Sequence, residues 1–109
     1  MPIYDIVSVP FPYVEREVSR RRPAVVVSGE ALEHRQRLAW VLMITSAENP
    51  PWEGDIPIED LGRAGLLFPS VVRPAKIATI EAGQMERIGE TGEPLGAKVR
   101  AALIGLLKT

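Results

Sequence analysis

The chain contains no cysteine and a single histidine, His34. Disulfide frameworks and thiolate metal sites are therefore excluded, and a zinc site built from imidazoles lacks its ligands. Aromatic residues are scarce at 6% of the chain, so Trp40 and Trp52 each need an account. No apolar stretch approaches the roughly 20 residues of a membrane span. Met1-Pro2-Ile3-Tyr4-Asp5 does not begin a basic region followed by a long apolar run, so no signal peptide is expected and a cytoplasmic protein is the simplest expectation. No P-loop, no G-x-G-x-x-G run and no paired-acid pattern is present. Strong charge of one sign is also missing: the net charge is −1. That opposes general affinity for nucleic acid while leaving room for a local basic groove. Arg16, Arg20, Arg21, Arg22, Arg35 and Arg37 all fall in the first third.

What is present reads as one compact domain over residues 1–109, long enough for a small core. Ile3 to Phe11 is rich in β-branched and aromatic residues and predicts a strand, with Pro10 and Pro12 marking an edge or bend. Tyr13 to Arg21 is polar and reads as a loop. Pro23 to Ser28 is a near-continuous apolar run, a strand buried on both faces, and Gly29 ends it. Glu30 to Arg37 reads as a helical turn or a loop. Leu38 to Thr45 predicts a third buried strand, with Trp40 in the core by that context. Ser46 to Pro51 is a loop by its breakers. Asp55 to Ile58 reads as a short strand and Glu59 to Gly62 as one helical turn closed by glycine. Leu66 to Arg73 and Lys76 to Ile80 read as two strands around Pro74, with Met85 to Ile88 a further candidate. Pro94 opens a helix in which Leu95, Val99, Ala102, Leu103, Leu106 and Leu107 recur at helical spacing up to Lys108; Gly96 and Gly105 weaken it. Short strands followed by one helix predict an α+β, mainly β fold: a small bent antiparallel sheet or partly open barrel.

Arg20-Arg21-Arg22-Pro23 stands at the mouth of the second strand. Guanidinium forks suit phosphate oxygens. For Arg20 and Arg21 a solvated loop is the simpler account. Arg22 differs, because Pro23 biases it towards an extended backbone and so fixes its direction. Thr45 and Ser46 end the third strand, where a hydroxyl turn is the ordinary reading. If the second and third strands form an antiparallel hairpin, Arg22 and Thr45 become neighbours at one rim. Ser70-Val71-Val72-Arg73-Pro74-Ala75-Lys76 repeats the Arg-Pro junction and adds a lysine, a second basic strand end suited to phosphates. Glu15 and Glu17 lie among arginines that they neutralise. His34 sits in a polar stretch and reads as a surface residue. Trp52, in a Pro-rich loop, reads first as a hydrophobic plug and second as a partner or base-stacking contact.

Four stretches in order resemble the MazF/PemK family, the toxin half of type II toxin–antitoxin modules. Tyr4 to Phe11 is similar to its G-D-I-V-x-V-x-F opening, and Arg22-Pro23-Ala24-Val25-Val26-Val27-Ser28 to its R-P-A-V-V-L-S run. Val41 to Ser46 is similar to its third strand ending in T-S, and Leu66 to Thr79, with Ser70 to Arg73, to its later strand ending in V-R. The terminal helix fits as well, so the resemblance spans nearly the whole chain. It implies an SH3-like (PemK/CcdB-like) barrel of bent antiparallel strands with a C-terminal α-helix. It also implies a homodimer, a cognate antitoxin, and metal-independent, cofactor-free cleavage of single-stranded RNA. The nucleophile would be the RNA's own 2′-OH, giving 2′,3′-cyclic phosphate and 5′-OH ends.

By the same resemblance Arg22 and Thr45 are the expected catalytic residues, Arg22 on the scissile phosphate and Thr45 hydrogen bonding to it. Glu17, Arg20, Arg21, Ser46, Arg73 and Lys76 are expected to bind substrate. The family's first loop often reads G-x-E-Q-x-G, with His before the Glu in one branch; here Val14-Glu15-Arg16-Glu17-Val18-Ser19 retains Glu17 at the matching distance from Arg22 but lacks the glycines and the histidine. Ala75 replaces an acid of the PemK-like branch, which leaves the proton-accepting role to another group such as Glu17. Two rival readings remain: a non-enzymatic gyrase inhibitor like the CcdB toxins, and a silent relative that binds only RNA or antitoxin.

Overall fold

The computed structural model describes residues 1–10 and 20–108. The strands are β1 (Asp5–Pro10), β2 (Arg21–Val26), β3 (Leu38–Ser46), β4 (Ile56–Pro57), β5 (Ser70–Glu81) and β6 (Glu86–Glu90). The helices are α1 (Glu30–Gln36), α2 (Leu61–Ala64) and α3 (Leu95–Lys108), with a 3-10 turn at Ala82–Gln84. The six strands form one antiparallel sheet in the order β4-β5-β3-β2-β1-β6. The fold is thus mainly β, a curled antiparallel sheet carrying a C-terminal helix. The parts of the first strand and loop assigned to 11–19, including Glu17, lie outside the described residues.

Alternation along each strand gives the sheet two apolar faces, and both are covered. Val7, Val9, Ala24, Val26, Val41, Met43 and Ile80 form one buried cluster. Ile6, Val25, Leu42, Ile44 and Val72 form the other, completed by Leu95 and Val99 of α3 and by Ala64 of α2. This two-sided burial explains the near-continuous apolar runs of β2 and β3. Trp40 departs from the sequence expectation: it is 49% exposed. It shares a face with Leu42 and Ile44, but lies towards the start of β3 and outside the cluster that α3 covers.

The α2 turn caps through Asp60, whose carboxylate accepts from the Arg63 N–H, and it closes on Gly65 at φ 76. Gly62 is therefore inside the turn, and Gly65 supplies the left-handed residue. A Cβ at Gly65 would strike the Ile88 carbonyl, and one at Gly89 would strike the Ala64 backbone. The bare backbones of these two glycines let α2 lie directly on β6.

The feature that shapes the site is in β5. The Pro74 junction does not divide two strands; one strand runs through it. Leu42 pairs with Ile77, and Ile44 pairs with Val72. Met43 alone therefore faces Arg73, Pro74, Ala75 and Lys76. The extra residues form a wide bulge, where proline sacrifices no ladder hydrogen bond.

Candidate functional site

The β2–β3 hairpin has Ala24 opposite Met43 and Val26 opposite Val41. The same register continued two residues towards the rim sets Arg22 opposite Thr45. Because side chains alternate, Arg22 and Thr45 lie on the face of Ala24 and Met43, at its open end. The β5 bulge stands beside Met43 and brings Arg73 and Lys76 to the same place. Arg22, Met43, Thr45, Asn49, Trp52, Arg73 and Lys76 line one cleft of ≈ 360 Å³. A second recess of ≈ 430 Å³ shares Arg22, Ile44 and Thr45 with it and adds Ser46, Glu48 and the apolar loop Leu66 to Pro69. Leu67 and Phe68 at that lip are exposed. The larger concavity around His34, Arg37 and Glu81 lies at the other end of β3, by Leu38, and contains none of these residues.

The expected site residues divide. Arg22, Thr45, Arg73 and Lys76 share the cleft, with Ser46 in the adjoining recess. Arg20 is exposed just ahead of β2. Arg21 is directed elsewhere by strand alternation. Its guanidinium donates to Ser8 Oγ (2.9 Å), Ser8 O (2.6 Å) and Gln84 O (2.7 Å), and it faces Glu86 at 3.9 Å. It fastens β2 to β1 and to the turn before β6. His34 is exposed on α1.

Arg73 is held more firmly than a surface strand end requires. Its Nε donates to Asp55 Oδ1 at 3.0 Å, and its Nη2 donates to Asp55 Oδ2 at 2.9 Å and to Pro50 O at 3.1 Å. The two side chains are only 8% and 10% exposed. This two-pronged bond holds the Asp55 carboxyl below its ordinary value of 3.8 against the opposing effect of burial, and raises the Arg73 guanidinium further. The guanidinium also lies 4.2 Å from the centroid of the Trp52 ring. Trp52 is 47% exposed, so it is not a plug beneath its loop.

Asn49, a loop residue by sequence, joins the site. Its amide Nδ2 donates to Thr45 Oγ1 at 2.6 Å, while its backbone N–H closes a turn onto Ser46 O at 3.1 Å. With one lone pair of the hydroxyl occupied, Thr45 is oriented to donate its own proton elsewhere. The spacing Thr45 to Asn49 across a Ser-initiated turn was the available signal. The bond is exposed, so Asn49→Ala is expected to leave the melting temperature unchanged; a thermal melt checks it.

The curled sheet with one capping helix is an architecture shared with solved toxin structures. MazF from Deinococcus radiodurans superposes with a TM-score of 0.76 at 23% identity, covering 100% of this chain and 97% of that one. An endoribonuclease in complex with its cognate antitoxin, from a mycobacterial species, gives 0.73 at 15% identity over 99% and 93%. Mycobacterium tuberculosis toxin MazF-mt6 gives 0.73 at 18% over 95% and 96%. At these identities the likeness establishes the fold. No curated protein matches the chain. The family model does: residues 3–107 match the PemK-like, MazF-like toxins of type II toxin-antitoxin systems, and the chain belongs to that family. Toxins of this family are generally endoribonucleases.

Proposed function

We propose that this protein is the endoribonuclease toxin of a type II toxin–antitoxin module and cuts single-stranded RNA without a metal ion. The observation that carries the reading is the convergence of Arg22, Thr45 and Lys76 on one cleft in a chain of this family. The 2′-OH attacks the adjacent phosphorus, the P–O5′ bond breaks, and a 2′,3′-cyclic phosphate and a 5′-OH result. Negative charge grows on the non-bridging oxygens during that step. The Arg22 fork and the Thr45 hydroxyl are donors suited to those oxygens, and donors fixed before the reaction are worth most there. Lys76 adds a second positive charge, and Ser46 supports Thr45. Arg20 steers RNA from outside.

The proton leaving the 2′-OH needs an acceptor, and the departing 5′-oxygen takes one up in turn. Asp55 is committed to Arg73 and is not available as that acceptor. Glu17, at the family pattern's distance from Arg22, is one candidate for that role. Among the described residues lining the two recesses, Glu48 is the only carboxylate. Glu17→Gln and Glu48→Gln, compared through the acid limb of the pH–rate profile, separate the two.

A cognate antitoxin and a second copy of the chain are proposed partners; MazE–MazF complexes from Deinococcus radiodurans share the fold. No helix among the described residues is long and apolar enough to cross a membrane. We assign the protein to the cytoplasm on the ground of the proposed mRNA substrate. The deciding experiment incubates the protein with a long RNA in EDTA and maps the ends. Discrete cuts carrying 5′-OH ends are expected. Intact RNA together with growth arrest would instead favour the gyrase-inhibitor reading, for which the exposed Leu106 and Leu107 at the end of α3 are the surface to test.

A further inference from the structure

We infer that Trp52 is a fixed stacking platform for a nucleobase next to the phosphate bound at Arg22. The cleft then grips one nucleotide at both its charged and its aromatic part. The inference rests on the reading of the cleft as an RNA site.

Trp52 shares the cleft with Arg22, Thr45 and Lys76, yet it is 47% exposed. An indole this open in a short loop normally samples several rotamers, and ordering it on binding would cost entropy. Here the ordering is built in. The Arg73 guanidinium stacks on the ring at 4.2 Å. Arg73 is itself clamped by Asp55 and by the Pro50 carbonyl. The backbone N–H of Trp52 donates to Asp55 Oδ2 at 2.9 Å, and the Asp55 N–H returns to Trp52 O at 3.1 Å. Ring, loop and bulge are thus tied to one carboxylate. Trp40 and Phe68 are also exposed, but among the described residues neither has a cation stacked on it.

Charge separates what the two parts of the cleft accept. Asp55 neutralises Arg73, so the Trp52 corner presents an aromatic surface rather than a cationic one. The proposed phosphate donors Arg22 and Lys76 line the rest of the cleft, and the apolar flat group linked to the phosphate is left for the indole. A single-stranded nucleotide has these two parts joined by a ribose. Stacking tolerates any base, with purines favoured by their larger overlap. Trp52 therefore contributes affinity and a mild purine preference at one position, while hydrogen bonds elsewhere set any strict sequence choice.

The test uses the full chain with Trp40→Phe, which leaves Trp52 as the sole indole. The probe is an RNA oligonucleotide spanning a mapped cut, with a 2′-deoxyribose at the cleaved nucleotide so that it binds without reacting. Binding is expected to quench Trp52 emission. The same oligonucleotide made abasic beside the cut should bind about tenfold more weakly and without quenching. In cleavage, Trp52→Leu should raise KM about tenfold with kcat held within about twofold, and Trp52→Phe should restore most of the loss. The quenching titration leaves residue 52 unaltered, so it stands even if Trp52→Leu folds poorly. RNA binding without quenching would overturn the platform and leave the nuclease reading intact. Quenching by an acidic antitoxin peptide but not by RNA would overturn it too, making Trp52 a peptide anchor. Failure of the unmutated protein to bind any RNA removes the nuclease reading itself.

Discussion

Arg22→Ala is expected to lower RNA cleavage by about 10²–10³-fold, the usual cost of removing one preorganised donor from a developing oxyanion. Arg22 is exposed at the rim, so its loss leaves both apolar clusters untouched and stability should change by no more than about 0.5 kcal/mol. Arg22→Lys distinguishes charge from shape. A lysine keeps the positive charge but loses the planar fork that meets two phosphate oxygens at once. An intermediate loss, mainly in kcat, is expected for it. Gel-based single-turnover kinetics and a thermal melt on the same preparations measure both quantities. Wild-type cleavage by Arg22→Ala would remove Arg22 from the reaction.

The hairpin that aims Arg22 was legible in the sequence because β2 and β3 are short, apolar and buried on both faces, so their antiparallel pairing follows from little else. The bulge was not. Arg73-Pro74 reads locally as a strand break, since proline lacks a ladder donor; only the β3 register reveals that the strand continues past it. The role of Arg73 was hidden for a related reason. Its partner Asp55 is remote in sequence, and nothing local distinguishes a buried, paired arginine from one waiting for phosphate. In the run of three arginines Pro23 marks out Arg22, but nothing local shows where Arg21 goes. Strand alternation separates them, sending one to Ser8 and Gln84 and the other to the cleft. Trp40 reads as core because its strand is buried, but α3 covers only part of that face and leaves the indole exposed. For Asn49 the four-residue spacing from Thr45 across a Ser-initiated turn is the one local hint, and the contact itself depends on how the loop turns.

Asp55→Ala should be the most destabilising change near the cleft. Arg73 and Asp55 are both nearly buried and bonded through two N–H groups. Removing the carboxylate strands a guanidinium that cannot shed its proton, at a cost of about 3 kcal/mol. In a domain of this size that lowers Tm by about 12 °C or more. The loss should extend to function, because Asp55 also fixes the Trp52 backbone: KM for RNA should rise even at temperatures where the variant is fully folded. Asp55→Asn keeps the volume and part of the hydrogen bonding, and exposes the charge contribution through pH. The Asp55 carboxyl is held below 3.8 in the folded protein, so its stabilisation is fully present above that value and is lost as pH falls through the folded value. Arg73 stays charged throughout. The stability difference between the unmutated protein and Asp55→Asn should therefore be flat from neutral pH down to about pH 5 and shrink below 3.8. Urea melts across that range measure it; a difference that persists unchanged in acid would mean the pair contributes through packing and not through its charges.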